Sequence, residues 1–125
     1  MILLLLLLGM AWTAQAQVAS GTLLGEVRDE SAAVAPGVRM TAREEGTGFS
    51  RSVMTGPLGS YQMDDLLPGR YTVTAGKRGF RTVEARGVVL EVNQRTRLDF
   101  VLKVGAEHES LVVTAQISPL QTEER

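Results

Sequence analysis

From residue 21 onward, apolar side chains recur at every second position in short runs, and most runs end at glycine or proline. Leu23, Gly25 and Val27 share one parity, with Leu24, Glu26 and Arg28 on the other. Val38, Met40 and Ala42 alternate with Arg39, Thr41 and Arg43. The same pattern marks Tyr71, Val73 and Ala75, then Val88, Leu90 and Val92, then Leu98, Phe100 and Leu102. Successive side chains of a strand point to opposite faces, so each set can line one buried surface. Burying about twelve of them, at roughly 1.5–3 kcal/mol each, is the main stabilising contribution available to the chain.

Between the runs lie Pro36-Gly37, Gly46-Thr47-Gly48, Gly56-Pro57-Leu58-Gly59, Leu67-Pro68-Gly69, Lys77-Arg78-Gly79 and Asn93-Gln94-Arg95. Glycine accepts positive φ and proline fixes φ, so these segments reverse the chain at low cost. Turns at roughly ten-residue spacing predict an antiparallel sandwich or small barrel. No segment has the period of an amphipathic helix, and no internal repeat is present.

A chain of 125 residues holds one domain at most. Its formal net charge of −1 lacks the basic excess of a nucleic-acid binder. There is no cysteine, which rules out disulfides, thiolate metal sites, cysteine nucleophiles and a lipidated cysteine. The fold must rest on its hydrophobic core alone.

Residues 2–8 form an unbroken apolar run, followed by Ala14-Gln15-Ala16. An apolar stretch ahead of a small-x-small triplet is the pattern of a secretory signal, with cleavage expected after Ala16. The run is shorter than the ~20 residues needed to span a bilayer. No Lys or Arg precedes it, which points to a start codon further upstream or to a longer reading frame.

Residues 21–104 resemble the carboxypeptidase-regulatory-like domain. The likeness rests on Gly25-Glu26-Val27-Arg28-Asp29, Ala33-Val34-Ala35-Pro36-Gly37-Val38, Gly59-Ser60-Tyr61, Leu66-Leu67-Pro68-Gly69-Arg70-Tyr71-Thr72-Val73 and Gly79-Phe80. It implies an all-β fold: a transthyretin-like, Greek-key antiparallel β-sandwich of about seven strands, here over residues 17–104. Two turn positions depart from the family pattern. Ala32 stands where glycine is usual, and Gly56 where Asp or Asn commonly follows the threonine.

Residues 105–125 read as a polar linker and a loosely ordered tail. Within them Glu109-Ser110-Leu111-Val112-Val113-Thr114-Ala115 resembles a TonB box. In TonB-dependent outer-membrane receptors this segment contacts TonB. The physics is β-augmentation, in which an extended peptide adds to a sheet edge through its backbone. A final sandwich strand could carry the same residues. The order of signal, sandwich, box and polar tail resembles the front end of such receptors. That likeness implies the periplasmic face of a Gram-negative outer membrane, with a plug and barrel in cis beyond this chain.

Catalytic candidates are weak. His108 is the single histidine, and Glu107 and Glu109 beside it point away in an extended chain. Asp64-Asp65 reads as a solvated turn, and Glu44-Glu45 as a charged strand end that blunts edge pairing. Lys77, Arg78 and Arg81 form a small basic cluster that reads as a solvated turn. No serine or threonine is spaced to pair with His108, and no phosphate-loop motif follows Gly46-Thr47-Gly48. The expectation is a non-enzyme that needs no cofactor or metal. The alternatives to a receptor module are an exported structural or adhesive domain and a carbohydrate-binding sandwich, the latter by fold analogy alone. For carbohydrate, Tyr61 and Phe80 are the exposed aromatic candidates.

Overall fold

A computed structural model describes residues 19–114 and 118–120. The apolar leader, Ala14, Ala16 and Ala115 lie outside the described residues. The elements are β1 (Gly21–Asp29), β2 (Arg39–Glu44), β3 (Ser50–Met54), β4 (Ser60–Leu66), β5 (Gly69–Gly76), β6 (Thr82–Leu90), β7 (Arg95–Arg97), β8 (Phe100–Leu102), β9 (Ser110–Thr114) and β10 (Ser118–Leu120). The described residues contain no helix.

The strands form a β-sandwich of two sheets. The first runs β10-β7-β1-β4, with β8 also on β1; the second runs β3-β2-β5-β6-β9. β1 to β6, with β7 and β8 as halves of one run, make the seven strands expected. The sheets are mixed rather than antiparallel, because β1 pairs parallel with both β7 and β8, and β6 pairs parallel with β9.

Alternation sets the core. Leu23 and Val27, Val38, Met40 and Ala42, and Tyr71, Val73 and Ala75 all point inward and are buried. In β6 the parity changes midway. Val83 and Ala85 face in, then Val88 and Leu90 do. The pairing with β5 slips by one residue between Tyr71 and Val73, and Gly87 takes φ 71° there. This is a β-bulge, and the extra residue restores the inward face. Val92 does not continue the series: β6 has ended, and its side chain is 47% exposed.

β1 lies inside the first sheet, between β4 on one side and β7 and β8 on the other. Thr22–Leu24 match Arg95–Arg97, and Val27–Asp29 match Phe100–Leu102. Between β7 and β8 the chain steps out of the ladder at Leu98 and Asp99. Leu98 N still donates to Leu24 O (2.8 Å), and the Asp99 carboxylate accepts the Glu26 amide (2.8 Å). The Leu98 carbonyl packs on Gly25, where a Cβ would lie 2.1 Å from its oxygen. It also accepts the buried Tyr61 hydroxyl.

The β1–β2 connection is tied by two polar side chains. The Asp29 carboxylate accepts the Ser31 amide (2.9 Å), the Ser31 hydroxyl (2.6 Å) and the Ala33 amide (3.1 Å). The Ser31 hydroxyl, more than the amides, holds the Asp29 carboxyl below its ordinary range. Thr55 is buried; its Oγ1 donates to Ala35 O (2.7 Å) and accepts the Val38 amide (2.9 Å). Each bond replaces one with water, so the polar atoms are not orphaned.

Two expectations are corrected here. β2 lies between β3 and β5, so Glu44-Glu45 does not blunt an edge. Instead Glu44 folds back on the turn after β2, where its carboxylate accepts the Thr47 hydroxyl (2.7 Å) and amide. The tail is also more organised than a loose linker, since residues 118–120 pair antiparallel with β7.

Gly25→Ala should destabilise the domain by about 3 kcal/mol, the upper end for overpacking, because backbone rather than a flexible side chain stands in the way. An unchanged urea midpoint would refute this. Ala32 takes φ 66°, a left-handed conformation that costs an L-residue roughly 1–2 kcal/mol. Ala32→Gly relieves that strain and gives back part of it through unfolded-chain entropy, for a net gain of about 0.5 kcal/mol and a higher urea midpoint.

Candidate docking edge

After β8 the chain doubles back along the segment that precedes β6. Arg81 N donates to Lys103 O (2.8 Å), Gly105 N to Gly79 O (3.2 Å) and Thr82 N to Glu109 O (2.9 Å). The Thr82 hydroxyl donates to Glu107 O (2.7 Å). The Arg81 side chain lies across Gly105, where a Cβ would come within 2.6 Å of its Cγ. Its Nε reaches the Glu109 carboxylate at 3.0 Å. The Nε is buried and off-line for a hydrogen bond, so the contact is chiefly electrostatic. These ties deliver Ser110 beside Thr82 and start the parallel β6–β9 ladder.

The TonB-box-like segment is therefore not a free linker. Ser110–Thr114 is already paired on one side, through partners Thr82–Arg86. It is not enclosed either. β9 ends the order of its sheet, Leu111 is half-buried, and Val112 and Val113 are 54% and 42% exposed. Glu109 precedes the strand and is exposed.

The other candidates do not converge. His108 is exposed in the turn at residues 107–108. Asp64 accepts the Thr22 hydroxyl (3.1 Å) and the Gln62 amide (2.9 Å), and Asp65 sits at φ 58°. Among the described residues no group of three His, Cys, Asp or Glu side chains could hold a metal ion. In the basic cluster Lys77 donates to Pro36 O (2.7 Å), Arg78 is exposed and Arg81 is committed to Glu109.

Of the two aromatic candidates, Tyr61 is corrected. It is 4% exposed, its ring tilted against Phe100 at 6.4 Å. Burial, reinforced by Asp99, pushes its phenol pKa above the ordinary range. A ring so placed cannot offer a platform to a sugar. Tyr61 belongs to the inward parity of β4 together with Met63, and that parity was legible in the sequence. Phe80 is half-buried and packs against the core. A feature missed from sequence is an open groove of about 520 Å³ on the outer face of the second sheet. Arg39, Thr41, Thr74, Lys77 and Arg78 line it. Arg39 joins the basic pair through the register of β2 on β5, which sets it opposite Gly76.

Arg81→Ala should loosen β9 without unfolding the sandwich, since exposed ion pairs are worth about 0.2–1 kcal/mol. Amide exchange at Ser110–Thr114 is expected to quicken by up to about fivefold while the β1 and β5 amides keep their protection. Equal acceleration in β1 and β5 would contradict this.

Comparison with known proteins adds fold and family. A search of curated proteins returned no match. Among solved structures, a candidate carbohydrate-binding protein from Bacteroides uniformis matches with TM-score 0.54 at 18% identity, over 66% of this chain and 40% of that one. A type II cohesin–X-dockerin complex from Acetivibrio cellulolyticus matches with TM-score 0.53 at 23% identity, over 68% of this chain and 58% of that one. Catechol 1,2-dioxygenase from Pseudomonas arvilla matches with TM-score 0.51 at 10% identity, over 74% and 55%. The chain spans less than two thirds of each, and at these identities the likeness is one of fold. The sequence model of the carboxypeptidase regulatory-like domain matches residues 22–103, so with its sandwich and its turns in place the chain belongs to the carboxypeptidase regulatory-like domain family.

Proposed function

We propose that this chain is a non-catalytic periplasmic accessory module of a TonB-dependent outer-membrane receptor. In this reading Ser110–Thr114 pairs with a strand of the TonB C-terminal domain. The observation that carries it is the position of this segment as a sheet-edge strand with exposed valines at 112 and 113. An edge strand offers a row of backbone donors and acceptors to another chain. The family match and the cohesin–dockerin and carbohydrate-binding neighbours fit a binding module. The export pattern of residues 2–16 fits delivery to the periplasm. The receptor's plug and barrel would follow in cis.

A second reading is carbohydrate binding. The basic, threonine-lined groove over β2 and β5 favours it, as does the Bacteroides uniformis neighbour. Without Tyr61, it relies on polar contacts and on Phe80 at a different place in the fold. Silence on a glycan array would remove it.

Val112→Pro should abolish binding of this chain to the purified TonB C-terminal domain, since proline removes a ladder donor. Titration calorimetry or fluorescence anisotropy reads the loss. Equal binding by both forms, or none by either, refutes the docking role.

A further inference from the structure

The direction of each backbone group in β9 follows from one hydrogen bond and the register. Thr82 N donates to Glu109 O, and Thr82 stands opposite Ser110. In a parallel ladder a residue bonded this way bridges the neighbours of its partner. The Glu109 carbonyl and the amides and carbonyls of residues 111 and 113 therefore turn toward β6, while the Glu109 amide donates to Ala106 O. Ser110, Val112 and Thr114 turn theirs away from it. Among the described residues no strand lies on that side. Val83 and Ala85, the partners of Leu111 and Val113, are buried, so Leu111 and Val113 are on the core-side face of the sheet. Yet Val113 is 42% exposed, because the sheet stops there.

We infer that the partner strand adds to the outer edge of β9 while β9 stays paired with β6, so that the partner becomes the next strand of the second sheet. The inference rests on the docking role proposed above. Three residues present their donors outward at alternate positions, as β-augmentation requires. A strand placed there would cover Val113 on the core side and lie beside Val112 on the other. The β6 pairing pre-orders the segment, so binding does not have to order a free peptide. Releasing β9 first would forfeit the Thr82, Arg81 and β6 contacts and free only the Leu111 and Val113 amides, fewer donors than the three the outer edge already offers.

A disulfide lock tests this, and the chain has no cysteine to interfere. Glu84 and Val112 are register partners, so they share a face. Neighbouring strands are about 4.8 Å apart, inside the ~4.4–6.8 Å Cα range of a disulfide. The variant Glu84→Cys/Val112→Cys, oxidised, fixes β9 to β6; reduced, it does not. The probe is the purified TonB C-terminal domain. Oxidised and reduced forms should bind with Kd values within about threefold, under ~1 kcal/mol apart. Binding by the reduced form with loss on oxidation overturns the inference and leaves the docking role intact. No binding by the unaltered chain overturns both. Should the cysteines weaken binding in both states, Thr82→Cys/Ser110→Cys is read in the same way.

Discussion

The contact of the Leu98 carbonyl with Gly25 is the constraint around which the first sheet is built. A parallel neighbour of β1 that ran straight would make one continuous strand. Here it breaks into β7 and β8, and the break lies over Gly25, where no Cβ intervenes. The carbonyl displaced from the ladder is taken up by the Tyr61 hydroxyl from β4, on the other side of β1. The Glu26 amide left by the same step is taken up by Asp99. The backbone groups displaced at the break thus regain partners, which is what makes it tolerable, while the Thr96 hydroxyl, buried beside it in β7, has none. The register on β1 is the same on both sides of the break, so Leu98, Phe100 and Leu102 stay in the core, all at most 4% exposed.

Much of this was legible in the sequence, and the reason is physical. Two-residue alternation predicts which side chains face inward because strands have that period whatever their neighbours. The turns were legible because positive φ falls on Gly37, Gly48, Gly59, Gly79 and Asn93, all in the segments marked as turns. Ala32 confirms the rule from the other side: the position lacking the usual glycine is still left-handed. What alternation does not encode is who pairs with whom. It cannot separate parallel from antiparallel neighbours, so the mixed sheets and the docking of β9 on β6 were not foreseen. Nor can it register the Gly87 bulge, a single residue that exchanges the two faces. Tyr61 is a different failure. Its inward parity with Met63 is readable, but an aromatic side chain also reads as a sugar platform, and its place over the core decides between the two.

For the candidate docking edge, the sequence marked the segment and the structure supplied its surroundings. Five apolar or β-prone residues after a polar stretch are compatible with a free peptide or with a strand. The choice is made by residues far away in the chain. Arg81 and Thr82 hold Glu109 and Glu107, and those contacts align the segment with β6. In sequence Arg81 reads as part of a solvated basic turn with Lys77 and Arg78. Its partner, Glu109, is visible in sequence only as a charge flanking the box. Their pairing depends on the chain doubling back at residues 103–109, which no local pattern announces.

The tail treats the two sheets differently, and the difference bears on which edge can recruit another chain. β10 extends the first sheet beyond β7, with Pro119 opposite Thr96. Proline has no N–H to give β7, so it occupies a ladder position whose donor would face outward. The outer edge of β10 is therefore short of a donor at its middle residue, in a strand of only three residues. β9 is longer and has no proline, so Ser110, Val112 and Thr114 keep every outward donor. Open edges of this kind invite pairing, and proteins usually blunt them with proline, charge or brevity. One stretch of about ten residues blunts one edge in this way and leaves the other able to pair. That asymmetry favours β9 over β10 as the place where a second chain adds.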